Sequence, residues 1–493
     1  MAVDVMLIYP PYSYPRKSPP VGLAYLAAVL EEKGYKVIII DLSVSSFGLG
    51  KLREQLSVEE PRIVGVSFMT NQYREAINIA SIAKEACPKA LVVAGGPHAS
   101  VLPVELLQKS SFDAVAIGEG EATIVDIAEM LSKGATRLEG IKGIVYKSKG
   151  DIRANPPREP ITDIDSLPFP SWHLLELDKY SILSSGGEAR ERVYAILSSR
   201  GCPNRCVFCD SHSVFGRRFR GRSAVNIYKE ILFLHEKFNA RQFDFIDDTF
   251  TVDRERVFEL CDLIVRNNLG IKWMCNARVN TVDLEMLKAM NQAGCVRIEF
   301  GVESGDQEVL EIMKKGITIS QIKDAHKMAK EAGLSVGTFA MVGNFGEGWD
   351  SVIETEKLLS ALGSDDICLS IATPFPGTEM YSRAKREGLL LTEDWSRYVT
   401  SPTYLPGYWP VMKTDKMEAN EILDAFFYLH SRFFGRKFRT RYGKLFFANP
   451  RFYRDMLFGS GGIKGLAQRM RMAVQVLRQF IWKKIGTRER NHE

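Results

Sequence analysis

Three of the eight cysteines crowd into Arg200-Gly-Cys-Pro-Asn-Arg-Cys-Val-Phe-Cys-Asp210, where Cys202, Cys206 and Cys209 follow a Cys-x3-Cys-x2-Cys spacing. A structural zinc site closes with four ligands, usually as two Cys-x-x-Cys pairs. No fourth cysteine stands in this loop, and His212 is the nearby side chain that could complete such a set. Three thiolates on a short loop suit instead a cubane iron–sulfur cluster with one iron left open, as a redox enzyme needs when a substrate must chelate the metal. The remaining cysteines, Cys87, Cys261, Cys275, Cys295 and Cys368, are scattered and read as small core hydrophobes. Eight cysteines in 493 residues are too few for a disulfide scaffold, which points to a cytoplasmic protein.

The elements that must position this loop are legible from periodicity. Apolar runs at residues 5–9, 37–40, 63–68, 91–94 and 114–117 have strand length, with helical patterns at 21–33, 73–86 and 103–109 between them. Such alternation predicts an α/β domain, a doubly wound parallel sheet with helices on both faces. Ligands in these sheets sit beyond the strand carboxyl ends, where Pro-, Gly- and Ser-rich loops occur at 10–20, 67–71, 95–100 and 118–121. From Lys147 to about Glu191 the pattern breaks into Pro- and Gly-rich stretches that read as a connection over a surface. A second series follows, with strands expected at 193–198, 242–246, 272–276, 296–300, 335–342 and 366–371 and helices between them. Six repeats suggest a partial or full barrel, with its chemistry at the strand C-terminal ends and the cysteine loop after its first strand. Beyond Tyr381 the remainder reads as helical. The domains expected are therefore 1–146, a linker at 147–191, a barrel at 192–390 and a helical region at 391–493.

No window approaches the twenty apolar residues of a membrane-spanning helix, and the N-terminus lacks a secretory pattern. The net charge of +5 is unevenly spread: residues 431–493 carry 16 Lys/Arg against 3 Asp/Glu. Residues 463–485 place Ile463, Leu466, Met470, Val474, Leu477, Ile481 and Ile485 along one stripe of a basic amphipathic helix. Docking on the barrel, peripheral contact with an anionic membrane, and nucleic acid at the aromatic-basic stretch 433–442 are the three readings, the last the least favoured.

The cysteine loop, with Phe208 in its aromatic position, resembles that of the radical S-adenosylmethionine superfamily. The resemblance implies a partial (βα)6 barrel with a 4Fe-4S cluster whose open iron binds S-adenosylmethionine, cleaved by one electron to a 5′-deoxyadenosyl radical. It continues through Phe245-Ile-Asp-Asp-Thr-Phe250, where Asp247 and Asp248 would lie near the methionine amine, although such a pair also suits a helix N-cap. Arg297-Ile-Glu-Phe-Gly-Val-Glu-Ser-Gly305 would place Glu299, Glu303 and Ser304 near the ribose or methionine. Residues 337–347 and 373–378 resemble the following two strand ends, with Asn344-Phe345 departing from the usual Pro-Gly-Glu ending. The scarcity of further cysteines excludes methylthiotransferases and members with C-terminal auxiliary clusters.

Residues 1–146 resemble the cobalamin-binding, Rossmann-like module of one large subfamily, through Pro10-Pro11, residues 20–28, Gly65-Val-Ser67, Gly95-Gly-Pro-His-Ala-Ser100 and Gly118-Glu-Gly-Glu-Ala-Thr123. The resemblance implies cobalamin contacts from Tyr12, Ser67, Gly95, Gly96, His98, Gly118 and Glu119. No histidine occupies the loop after the first strand, so Tyr12, Tyr14 or water would face cobalt, and His98 would pack near the nucleotide tail. A flavodoxin-like domain without ligand is the alternative. The family implies methylation of an unactivated carbon or a phosphinate phosphorus, with methylcobalamin as methyl donor. Its alternatives are an oxidative or ring-rearranging cyclase like the anaerobic Mg-protoporphyrin monomethyl ester cyclases, and a cobalamin sensor or carrier with an inactive barrel. Expected partners are a small-molecule substrate, lipid or tetrapyrrole among the candidates, and a flavodoxin- or ferredoxin-type reductant.

Overall fold

Short apolar runs separated by amphipathic helices build two parallel sheets, seen in a computed structural model that describes residues 3–11, 19–44, 48–135, 137–180, 192–401 and 407–443. The first sheet contains β1 (Val5–Tyr9), β2 (Val37–Asp41), β3 (Ile63–Ser67), β4 (Leu91–Gly95), β5 (Ala114–Ala116), β6 (Ile144–Ser148) and β7 (Asp151–Ala154), in the order β2-β1-β3-β4-β5-β6-β7. Its first five strands are parallel, and β6 and β7 add an antiparallel edge. The order reverses between β1 and β3, which opens a crevice at their carboxyl ends. Helices cover both faces, Val21–Glu32 and Glu121–Ser132 on one and Leu49–Glu59 and Tyr73–Ala86 on the other.

The sheet runs to Ala154, past the boundary expected at residue 146. The connection that follows is pinned rather than laid over a surface. Trp172 is buried against Tyr194, and the Tyr180 hydroxyl donates to Asp41 at 2.8 Å.

The second sheet begins with β8 (Val193–Ile196). A two-residue pair, β9 (Ser199–Arg200) and β10 (Arg220–Gly221), brackets the cysteine loop. Then come β11 (Gln242–Phe245), β12 (Lys272–Ala277), β13 (Cys295–Glu303), β14 (Ser335–Val342) and β15 (Asp366–Ile371). The order β15-β14-β13-β12-β11-β8 is parallel throughout, six strands of a partial barrel. Helices such as Ala224–Phe238 and Trp349–Leu362 separate the strands, as the alternation leads one to expect. One continuous apolar core joins the barrel to the N-terminal sheet, with Tyr25 and Ile127 from one side and Tyr194 and Phe243 from the other.

Helix Ala419–Tyr442 lays Ile422, Ala425, Phe426 and Leu429 against β14 and β15. Arg436 donates to the Ser360 carbonyl and Lys437 to that of Asp365, so this part of the basic segment docks on the barrel. The stripe at 463–485 lies outside the described residues. No helix among the described residues is long and apolar enough to cross a membrane.

Candidate active site

Gly201 allows the chain to turn from β9 into the cysteine loop. Its φ is +79°, and a Cβ there would stand 2.3 Å from the Arg218 carbonyl oxygen. The loop's middle is anchored by its backbone: Val207 N–H donates to Met313 O at 3.0 Å, and Val207 O accepts from Met380 N–H at 2.9 Å. Each sulfur has a polar neighbour. Asn204 Nδ2 donates to Cys202 Sγ at 3.2 Å, Arg278 Nη1 reaches Cys206 Sγ at 3.8 Å, and Cys209 Sγ lies 3.3 Å from Ser211 Oγ. Burial pushes the Cys209 thiol up, and the Ser211 contact pulls it back. Donors around thiolates on an anchored loop are what an iron–sulfur cluster needs. Among the described residues no three His, Cys, Asp or Glu side chains converge on a single-ion site.

The two aspartates that end β11 separate into different tasks. Asp247 is buried and accepts from Ser198 N at 2.6 Å, Ser199 N at 3.1 Å, Ser199 Oγ at 2.8 Å and the Ser198 hydroxyl. Its oxygens are thus committed to the turn ahead of the cysteines, which departs from the methionine-amine contact expected for it. Asp248, beyond the carboxyl end of β11, is exposed. Surrounding protein, then the Asp247 and Asp210 charges, push its carboxyl up to about 6. Asp244 is pushed up to about 7, by burial first and then by Glu299 and Asp247.

Glu299 is held by Arg297 Nη2 at 2.8 Å, and Arg297 also approaches Asp366 at 3.7 Å. Glu303 adopts a left-handed φ of +66° and pairs with Lys315 at 2.6 Å; the same ammonium lies 5.8 Å from the centre of the Phe208 ring. Ser304 is buried and accepts from Asp306 N–H at 3.2 Å, so it shapes the turn into helix Gln307–Ile312 rather than opening to a ligand. Glu347 is buried, accepts from Asn344 N–H at 3.0 Å, and is pushed up to about 7 by burial. Among the scattered cysteines Cys87, Cys261, Cys275 and Cys295 are buried as expected. Cys368 is exposed, because it occupies the β15 face opposite Leu369 and Ile371.

A second site lies where the first sheet meets the barrel. A cavity at the carboxyl ends of β1, β3, β4 and β5 is lined by Leu23, Leu26, Val66, Val93 and Ile124, with Ser67, Gly95, Gly96 and Gly118 at its rim. Its far wall comes from the barrel side: Leu197, Arg200, Val214 and Phe215. A Cβ added at Gly22 or Gly95 would meet no atom within 4 Å, so both glycines leave room that a side chain would fill. An apolar cradle with glycine walls fits a flat heteroaromatic base such as the nucleotide tail of cobalamin.

Two expected contacts fall elsewhere. His98 is 1% exposed and is absent from this cavity lining; it packs among Phe68, Tyr73 and Trp395. Burial pushes its imidazole down to about 4. Glu119 is taken up by Arg200 and Arg220, each at 2.7 Å, and by Ile161 N–H at 2.9 Å, while Arg200 also holds Glu121 at 2.6 Å. That buried network joins the Gly118–Gly120 turn to the residues flanking the cysteines, and Glu119 is therefore an interdomain tie before it is a cofactor contact. Tyr12 and Tyr14 lie outside the described residues. Arg200, Arg220, Arg278 and Lys315 were silent in the sequence, since their partners come from elsewhere in the chain.

Two family models match the chain, one over each sheet. The radical SAM superfamily matches residues 196–359 and the B12 binding domain matches residues 13–128. An uncharacterized methyltransferase of Pyrococcus horikoshii is 36% identical over 428 residues, 85% of this chain and 90% of its own length. The chain belongs to the cobalamin-dependent radical S-adenosylmethionine (SAM) enzymes. The anaerobic magnesium-protoporphyrin IX monomethyl ester cyclase of Rubrivivax gelatinosus is 28% identical over 431 residues, 86% of this chain and 75% of the cyclase. The structure of OxsB, a cobalamin-dependent SAM radical enzyme with aqua-cobalamin and SAM bound, shares the fold. Its TM-score is 0.73 at 19% identity, covering 97% of this chain and 72% of OxsB. Membership makes the protein a radical SAM enzyme that uses a 4Fe-4S cluster, SAM and cobalamin on a small-molecule substrate, in a family that includes methyltransferases and cyclases.

Proposed function

We propose that the protein methylates an unactivated carbon of a small molecule at the interface between its two sheets. The observation that carries this reading is the cavity: its wall includes Arg200, two residues before Cys202, so the two cofactor sites adjoin through a continuous piece of backbone. When bound, the cluster and cobalamin supply the electron and the methyl carrier, and the protein supplies position.

Cys202, Cys206 and Cys209 would ligate the cluster, with Phe208 beside it. Asp248 would accept hydrogen bonds from the methionine ammonium of SAM, while Asp247 holds the turn that presents the cysteines. Glu299 and Glu303, each steadied by a cation, would meet the remaining polar groups of SAM. Ser67, Gly95, Gly96 and Gly118 would line the cobalamin tail. The N-terminal sheet caps the barrel and keeps water from the reacting atoms. A lipid or tetrapyrrole acceptor, a flavodoxin- or ferredoxin-type reductant and peripheral membrane contact through the basic C-terminal residues complete the proposal, for a cytoplasmic enzyme.

The test uses anaerobically reconstituted full-length protein with methyl-labelled SAM and candidate acceptors. The proposal expects cluster iron and one cobalt per chain, deoxyadenosine, and label in the product. Deoxyadenosine with an unlabelled, oxidised or cyclised product would instead assign a cyclase. Iron without cobalt would remove methyl transfer altogether.

A further inference from the structure

Among the described residues six arginines are buried: Arg200, Arg220, Arg222, Arg256, Arg278 and Arg297. Five of them have a carboxylate within 4 Å: Glu119 and Glu121 for Arg200, Glu119 for Arg220, Glu230 for Arg222, Asp247 for Arg256 and Glu299 for Arg297. Arg278 is the exception. It follows β12 and is 7% exposed. Its Nε donates to Asn280 Oδ1 at 3.3 Å, its Nη2 donates to the Lys315 carbonyl, and its Nη1 points at Cys206 Sγ from 3.8 Å. Two neutral acceptors fix the guanidinium in place and leave its charge uncompensated beside a sulfur.

A guanidinium does not shed its proton in a protein, so burial leaves it charged. Such a charge is strongly destabilising unless an anion faces it. The anion that this geometry supplies is the thiolate of Cys206 and whatever that thiolate ligates. Three thiolates make a ligated cubane anionic, and each electron added makes it one charge more negative. A cation held beside it favours the reduced form over the oxidised one.

We infer that Arg278 is the counter-cation of the cluster held by Cys202, Cys206 and Cys209, and that it raises the potential at which the cluster takes up its electron. Arg278 is then a positioning and tuning residue that need not touch substrate. The inference rests on the cluster alone and is independent of which group the enzyme methylates. The electron comes from a low-potential one-electron donor, which is oxidised as the cluster is reduced, and no bond is made or broken in the step.

The experiment is a redox titration of anaerobically loaded full-length protein with dithionite, without SAM or cobalamin, following the electron paramagnetic resonance of the reduced cluster. Arg278→Gln at full iron content should lower the reduced fraction at a fixed poise about tenfold, equivalent to about 59 mV for one electron. Arg278→Lys, which keeps the charge, should stay close to the parent protein. A parental potential in Arg278→Gln overturns the inference. An equal fall in both variants also does so, because the fork's geometry would then matter and its charge would not. If Arg278→Gln does not hold iron, Arg278→Lys decides: a parental potential supports the inference and a tenfold fall overturns it. Failure of both variants to hold iron counts against it, since neither removes a thiolate. Native potential in Arg278→Gln with weakened SAM binding by equilibrium dialysis would assign the charge to the SAM carboxylate and overturn the inference.

Discussion

At Gly95 an added Cβ meets no atom within 4 Å, whereas at its neighbour Gly96 it would sit 2.9 Å from the backbone of Phe68 with φ at +90°. The two glycines should therefore fail differently. Gly95→Val keeps the fold, with a melting temperature near the parent's, but fills the cavity and should weaken cobalamin binding about tenfold or more, the equivalent of about 1.4 kcal/mol. Gly96→Ala should lower the melting temperature itself, through a left-handed backbone and a collision. Visible-spectrum titration with hydroxocobalamin and thermal melts of the same samples separate the two effects. His98 offers a test by pH. Its imidazole is pushed down to about 4 in the fold by burial, and its ordinary value is about 6.5. Between those values the unfolded chain binds the extra proton, so the neutral imidazole's contribution is complete above about pH 6.5 and is lost as the pH falls towards 4. The loss attributable to His98 reaches about 3 kcal/mol. His98→Phe, placed among Phe68, Tyr73 and Trp395, should gain on the parent protein as the pH falls. Denaturant midpoints from pH 7 to pH 4.5 check this, and taking the difference removes His326 and His430, which burial pushes down in the same way.

The end of β11 decides two matters at the level of elements. Asp247 draws the end of β8 and the start of β9 together through both serines. Asp247→Asn can no longer accept all four hydrogen bonds and forces an amide donor against donors, at a cost of about 2–4 kcal/mol. Lower stability and lower iron content are expected together, since the loop hangs from that junction. Asp248→Asn should keep both and raise the dissociation constant for SAM; a stable, iron-loaded Asp247→Asn protein would reverse the two roles. A sequence cannot separate these neighbours, because the difference lies in Ser198 and Ser199, which sit some fifty residues earlier in the chain. Much else at this scale was legible. The strands at Val5–Tyr9, Ser335–Val342 and Asp366–Ile371 have their expected bounds, since short apolar runs between turn residues define strands. The β6–β7 hairpin leaves no apolar signal because Lys147-Ser-Lys-Gly-Asp151 is polar, as an antiparallel edge is allowed to be. The family pattern of its loop points His98 towards a cofactor, while Trp395, the ring that helps to enclose it, arrives from almost three hundred residues away.

Across the whole molecule, the two sheets are fixed to each other by Arg200, Arg220, Glu119 and Glu121, two cations and two anions with side chains 2–7% exposed. Arg200 also lies over the rings of Tyr25, from the N-terminal domain, and Phe215. Such a network adds little over an apolar interface of equal packing, but removing one member leaves an uncompensated charge in the interior. Glu119→Gln turns a neutral quartet into one with an excess positive charge, and the full-length protein should lose about 3–5 kcal/mol in chemical denaturation. Glu119→Gln with Arg220→Gln restores neutrality and should recover part of that loss. Non-additivity of this kind is the signature of direct coupling. Because Arg200 precedes Cys202 by two residues and the Gly118–Gly120 turn borders the cavity, the single variant should also loosen both cofactor sites, read as lower iron and lower cobalt per chain. A single variant that costs less than about 1 kcal/mol would mean that the quartet is solvated and that the apolar core alone aligns the sheets. Full recovery of iron and cobalt in the double variant would show that charge balance, rather than the particular carboxylate, sets the spacing between the two cofactors.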